Sequence, residues 1–228
     1  MLIAIILVFI LEIVITIVSL ILPLIIVKYS WATANIFLIA TGLGFSVYLY
    51  AIISCLISVI VYRILPQPKF GVYNISEQSA EFIKFVALLS LRLYIKKTPA
   101  SWLTLLPGGT PFLRIAGSNL GSGINSACFD NILDFKGINI GNNVVLGYNS
   151  VLSCHMIVDN MLTYKTITID DGAIIGANVL IYPDVKIGKK AIINPLSVIY
   201  PGTIIGDNEV WGGNPARRRK QANLDQND

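Results

Sequence analysis

Residues 169–216, broken into sixes, decide the fold: IDDGAI IGANVL IYPDVK IGKKAI INPLSV IYPGTI IGDNEV WGGNPA. Ile opens seven successive hexads (Ile169, Ile175, Ile181, Ile187, Ile193, Ile199, Ile205), and Trp211 opens the eighth. Gly stands second at 176, 188, 206 and 212. The fifth place is mostly small: Ala173, Val179, Val185, Ala191, Ser197, Thr203. A period of six cannot sit on a helix face, whose period is 3.6. It predicts a parallel β-helix in which each hexad makes one short strand and one turn, and three hexads complete a coil. The opener points inward, the small residue sits near the prism edge, and Gly permits a tight or left-handed turn.

The same phase appears upstream at Ile140, Leu146 and Leu152, with Gly141 and Gly147 in the second slot, and again at Leu120-Gly121. Two interruptions break it. One lies at 131–138. The other follows Leu152, because the seventeen residues from there to Ile169 are not a multiple of six. About eleven of them, 158–168, are expected to leave the coil as a loop, a favoured place for function on a rigid scaffold.

The front of the chain is different in kind. Mean hydropathy is +0.70 and only 13% of residues are charged, too apolar for an ordinary soluble protein. Residues 2–27 carry one charge, Glu12, and residues 36–62 carry none. Each run can cross a hydrocarbon core of ~30 Å at ~1.5 Å per residue. No basic segment precedes the first run and no small-residue cleavage site follows it, so a removable signal peptide is not expected. The reading is a transmembrane hairpin joined by residues 28–35. The connection offers Lys28, whereas Arg63, Lys69, Lys84, Arg92, Lys96 and Lys97 follow the second span. The positive-inside rule puts both termini and the β-helix in the cytoplasm. The second span has small residues four apart (Ala40/Gly44, Gly42/Ser46, Ser54/Ser58), which permits close helix contact. Glu12 is a functional-site hypothesis by default, or a protonated acid bonded to a Ser or Tyr of the partner helix.

Pro66, Pro68 and Gly71 mark a break. Asn74 or Ser76 is a candidate cap for a helix reaching about Lys97, with Phe82, Phe85, Val86, Leu89 and Leu93 at helical spacing. It would lie on the cytoplasmic leaflet or cap the β-helix. The expected domains are therefore 1–65, a transmembrane hairpin; 66–109, an amphipathic helix and an irregular connector; 110–217, the β-helix; and 218–228, a polar tail. The net charge of +4 gathers most sharply at 217–220, as a solvated or membrane-facing tail or as a phosphate contact. No basic face with interleaved aromatics supports nucleic-acid binding. Cys55, Cys128 and Cys154 are an odd set with no disulfide framework. Cys154 reads as a buried packing residue rather than a nucleophile.

The repeat, the lead-in Thr110-Pro-Phe-Leu-Arg114 and the closing Trp211-Gly-Gly-Asn-Pro-Ala-Arg217 resemble the hexapeptide-repeat acyltransferases over residues 108–217, most closely the membrane-linked subgroup with envelope-sugar acetyltransferases and peptide-synthetase terminal domains. The resemblance implies a left-handed coil, a homotrimer with sites between prisms, and an acetyl-CoA or other phosphopantetheine thioester as donor substrate, with no permanently bound cofactor. It maps the catalytic base onto His155, the only histidine. A neutral imidazole can take a proton from an acceptor hydroxyl or amine attacking a thioester. Asp159, four residues on, is a candidate to hold the ring; a backbone carbonyl would serve as well. The donor's arm would pass Ala177 and, one coil on, Pro195, with Trp211, Asn214 and Arg217 flanking it or capping the prism. Pro195 has no N–H to give, so a carrier-protein donor stands beside acetyl-CoA. The zinc-dependent branch of the fold needs three His ligands, and one His excludes it. These residues point to a membrane-anchored acyltransferase with a lipid-linked or other membrane-associated acceptor. The other reading is a non-catalytic membrane-bound scaffold.

Overall fold

The computed structural model describes residues 2–97, 109–126 and 131–219. Cys128, Lys220, the rest of the tail and residues 98–108 of the expected connector lie outside the described residues. The chain forms two compact units, residues 1–69 with 75–116, and residues 70–74 with 117–228. This differs from the expected division. Segment 66–109 is not a unit of its own: its helix joins the hairpin, and residues 70–74 join the repeats.

The first unit is helical. α1 spans Leu2–Ala32 and α2 spans Ile36–Ile64. α1 runs five residues past the expected Val27, and the turn shrinks to 33–35. Asn35 caps α2, its side chain accepting from the N–H groups of Phe37 and Leu38 at 2.9 and 3.3 Å. Gly42, Ser46, Ala51, Ser54, Cys55 and Ser58 form the buried stripe of α2. A Cβ on Gly42 would strike the Ser30 side chain, and Ser46 donates to the Pro23 carbonyl at 3.2 Å. Of the three expected small-residue pairs, Gly42/Ser46 therefore makes the contact with α1, and Ser54/Ser58 is buried. Ala40 and Gly44 face outward.

α3, Ala80–Lys97, packs on both long helices. Its buried residues are Phe82, Phe85, Leu88, Leu91, Arg92 and Ile95. The expected stripe is rotated: Leu93 is exposed. The Tyr94 hydroxyl decides the docking, lying 2.7 Å from Thr16 Oγ1 and 3.3 Å from Ser54 Oγ. The contact surface of α3 is therefore the helical hairpin. Arg92, counted above among the basic residues after the second span, is buried with its guanidinium 5.1 Å from the Phe85 ring centre. α4, Gly109–Ala116, carries the lead-in motif and contacts α2.

The second unit winds through three parallel sheets in turn. Ile174-Ile175 pairs with Ile192-Ile193, Leu180-Ile181 with Val198-Ile199, and Lys186-Ile187 with Ile204-Ile205. Each partner lies eighteen residues on, which is three hexads. All seven Ile openers are at most 2% exposed, each stabilising the core by about 1.5–3 kcal/mol. Trp211 is half-buried. Upstream the register lengthens. Val145 pairs with Ile174, twenty-nine residues on and eleven more than a plain circuit; Asn125 pairs with Val145, two more than a circuit.

The second-slot Gly has a different role from the expected one. Gly176 and Gly147 are not in the left-handed region. A Cβ on Gly176 would lie 2.5 Å from Pro195 N, and one on Gly147 2.5 Å from Ala177 N. The slot is small because the next coil's backbone passes there. Positive φ instead falls two residues later, at Asn149, Asn178, Asp184, Lys190, Leu196 and Asn208. Asn149 and Asn178 stack there, bonded at 2.8 Å.

Candidate active site

Both interruptions lie at one corner of the coil. Ile132 pairs with Leu152, and the two-residue excess follows Ile132 before the strand Ile138–Ile140. The eleven-residue excess follows Leu152 before the strand Ile167–Ile169. They therefore leave the same edge on consecutive circuits. The first makes a 3₁₀ turn, Phe135–Gly137, with Asp134 at its start. The second is a β-hairpin rather than the expected loop: His155–Val158 pairs with Met161–Tyr164, with Asp159 and Asn160 as its left-handed turn. Lys165 N–H closes the base on the Cys154 carbonyl at 2.8 Å. The strand Gly71–Asn74 adds to the other edge of the hairpin, completing a three-stranded antiparallel sheet.

His155 stands at that base, its side chain 19% exposed. Its Nδ1 lies 2.7 Å from Asp134 Oδ2, and this carboxylate is fully buried. The Cys154 N–H donates to the same oxygen at 2.9 Å, and Ser153 Oγ donates to the His155 carbonyl at 2.8 Å. Gly137 lets the 3₁₀ turn close on this group, since a Cβ there would lie 2.6 Å from Cys154 Sγ. Cys154 is correspondingly fully buried. A carboxylate only accepts. It therefore takes Nδ1–H and leaves Nε2 as the basic nitrogen of the neutral ring. Across the strand pair from His155 is Tyr164, buried, its ring tilted 37° against that of Phe70 with the ring centres 4.8 Å apart. Lys165 Nζ and Asp184 Oδ2 pair at 2.6 Å on the next circuit.

The expected orienting residue is thus corrected. Asp159 sits in the exposed turn of the hairpin, four residues of extended strand and about 13 Å along from His155. A His-x-x-x-Asp spacing joins side chains on a helix, and this segment is a strand. Sequence reasoning passed over Asp134. The signal was present as a lone acid in the run Ile132-Leu-Asp-Phe135, inside an insertion in phase with the one that carries the His.

The expected donor residues lie elsewhere on the coil. Ala177 and Pro195 occupy successive turns of another edge, where Leu196 N–H donates to the Ala177 carbonyl at 2.9 Å. The closing segment folds back, with Arg217–Arg219 pairing antiparallel to Val210–Gly212. Arg218 and Arg219 of the expected tail are therefore part of the fold. The Trp211 indole N–H and the Gly206 N–H both donate to Glu209 Oε2, at 2.8 and 2.9 Å, and Arg218 lies 3.1 Å from Oε1. The Trp211 bond first, then the Gly206 N–H and the Arg218 charge, hold the Glu209 carboxyl below the usual carboxylate range. Arg217 is exposed and donates to the Ala216 carbonyl. Asn214 is exposed, and its bond to Pro215 is cis. Among the described residues no group of His, Cys, Asp and Glu is placed to hold a metal ion.

No protein-family model and no curated protein matches the chain. Among solved structures, it is similar to a hexapeptide-repeat-containing acetyltransferase of Vibrio cholerae at 21% identity, covering 63% of this chain and 94% of that one, with a TM-score of 0.46. A galactoside acetyltransferase in complex with coenzyme A is 18% identical, with coverage of 67% and 87% and a TM-score of 0.43. The serine acetyltransferase of Neisseria gonorrhoeae is 17% identical, with coverage of 90% and 83% and a TM-score of 0.39. At these values the reading of the site rests on its own residues.

Proposed function

We propose that the chain is a membrane-anchored acyltransferase of the hexapeptide-repeat type, with its second unit a left-handed parallel β-helix. It moves an acyl group, an acetyl group in the simplest case, from a CoA or carrier-bound phosphopantetheine thioester to a hydroxyl or amine. The observation that carries this reading is the His155–Asp134 pair at the base of the hairpin. Asp134 fixes the ring and its tautomer, and Nε2 takes the acceptor's proton as the acceptor attacks the thioester carbonyl. The leaving thiolate is released as the C–S bond breaks. No acyl-enzyme step is needed.

The donor arm is assigned to the edge holding Ala177 and Pro195, where Pro195 brings a carbonyl acceptor and no donor. Trp211, Asn214 and Arg217 flank its far end. His155 and this edge belong to different corners of one coil, which favours a homotrimer whose site is completed by a neighbouring copy. α1 and α2, at 31 and 29 residues, are about 46 and 43 Å long, more than a ~30 Å hydrocarbon core needs. Outside its buried stripe of Val8, Ile15, Ser19 and Pro23, α1 exposes apolar residues, among them Phe9, Ile17 and Leu24. Both observations support a two-pass anchor, and the basic residues after α2 support a cytoplasmic site. A membrane-associated acceptor, such as a lipid-linked sugar, follows from that placement. Calorimetric titration of the purified chain with acetyl-CoA tests the reading. Binding retained in His155→Ala is expected, and absence of any thioester binding overturns the donor assignment in favour of a scaffold.

A further inference from the structure

We propose that the three-stranded sheet beside His155 is a lipid-contacting surface, resting on the bilayer that α1 and α2 enter. This rests on the membrane-anchor reading of those helices. In an antiparallel sheet paired residues share a face. One face carries His155, Ile157, Leu162, Tyr164 and Tyr73; Leu162 and Tyr164 are fully covered there, and Ile157, next to the turn, is 55% exposed. The other carries Val72, Met156, Val158 and Met161 beside Thr163 and Asn74. Val72 is 51% exposed, Val158 49% and Met161 37%. A small sheet whose second face is also apolar has a partner for it.

The chain itself names that partner. The strand Gly71–Asn74 is the first element after α2, and only residues 65–70 separate them. A link this short reaches at most about 25 Å, and Pro66 and Pro68 keep it extended and stiff. Arg63 and Lys69 stand in and beside this link, suited to an anionic headgroup layer, where each contributes about 1 kcal/mol. The strand that leaves the membrane helix is thus the strand that holds the catalytic hairpin. Its apolar face enters the headgroup boundary, and the opposite face, with the His155 ring, meets an acceptor whose lipid end stays in the bilayer.

Photo-crosslinking of the full chain in phosphatidylethanolamine–phosphatidylglycerol vesicles tests this. p-Benzoylphenylalanine is placed singly at Val158, at Val72, at Val14 of α1 and at Tyr148 on another edge of the coil. The expected result is phospholipid adducts from Val158, Val72 and Val14, and loss of them at Tyr148. Adducts from Val14 alone overturn the proposal and leave the anchor standing. No adduct at any position overturns both. Crosslinks from Val158 and Val72 to a second copy of the chain, without lipid, show that the face is a subunit interface and overturn the proposal.

Discussion

At the scale of single residues, two carboxylates compete for one role, and geometry separates them. Asp134 is buried and 2.7 Å from His155 Nδ1; Asp159 is in the turn at the end of a four-residue strand. Asp134→Asn keeps the size of the group but replaces the pure acceptor with an amide that can present N–H to the ring. The expected result is a fall in kcat of about 10²–10⁴-fold, comparable to loss of a general base, whereas Asp159→Asn leaves kcat within about threefold, as for a surface change. Steady-state rates of the two variants decide it. His155 was legible in the sequence from its place at the break in the repeat. Its partner was not, because one-dimensional spacing favours the nearest acid, while the coil brings together residues twenty-one apart.

At the scale of elements, the hexad pattern was legible because its period matches the strand-and-turn unit, and all seven Ile openers point into the core. What the pattern hid is why each place is small. Gly176→Ala puts a Cβ 2.5 Å from the backbone of the next coil. It is expected to destabilise the unit by about 1–3 kcal/mol, as overpacking does, read as a lowered unfolding midpoint. Leu196 is the opposite case. It holds φ 61° with its side chain 71% exposed, in the position where Asn149 and Asn178 stack. Leu196→Asn is expected to raise stability by about 1 kcal/mol, the left-handed penalty for a residue that cannot bond locally. An unchanged or lowered midpoint would show that the Leu side chain is used in the assembled protein. The closing segment is expected to respond to pH. The Glu209 carboxyl is held low, so its contribution is fully present above the ordinary carboxylate range and is lost as pH falls through its depressed folded value. Protection of the Arg217–Arg219 amides, measured by hydrogen exchange relative to the unfolded chain at the same pH, therefore falls on acidification, and Glu209→Gln removes that dependence. The hairpin was read as a loop because Met156, Ile157 and Val158 continue the aliphatic character of the coil, and the strand that completes its sheet, Gly71–Asn74, lies about ninety residues upstream of its partner Met161–Tyr164.

At the scale of the whole molecule, the proposed function needs a helical anchor, a coil and a site at one corner of that coil. Mass measured in detergent is expected to correspond to three chains, since one coil keeps His155 apart from the edge of Ala177 and Pro195 to which the donor is proposed to bind. An active monomer would sink the shared site and leave the coil intact. The most direct measurement is of transfer itself. The chain in lipid vesicles is mixed with acetyl-CoA and membrane-derived glycolipid acceptors, and thiol release and acetylated product are followed together. The account predicts equal amounts of thiol and product from the normal chain, and a loss of about 10²–10⁴-fold in His155→Ala with donor binding unchanged. Transfer by His155→Ala at the rate of the normal chain would contradict it.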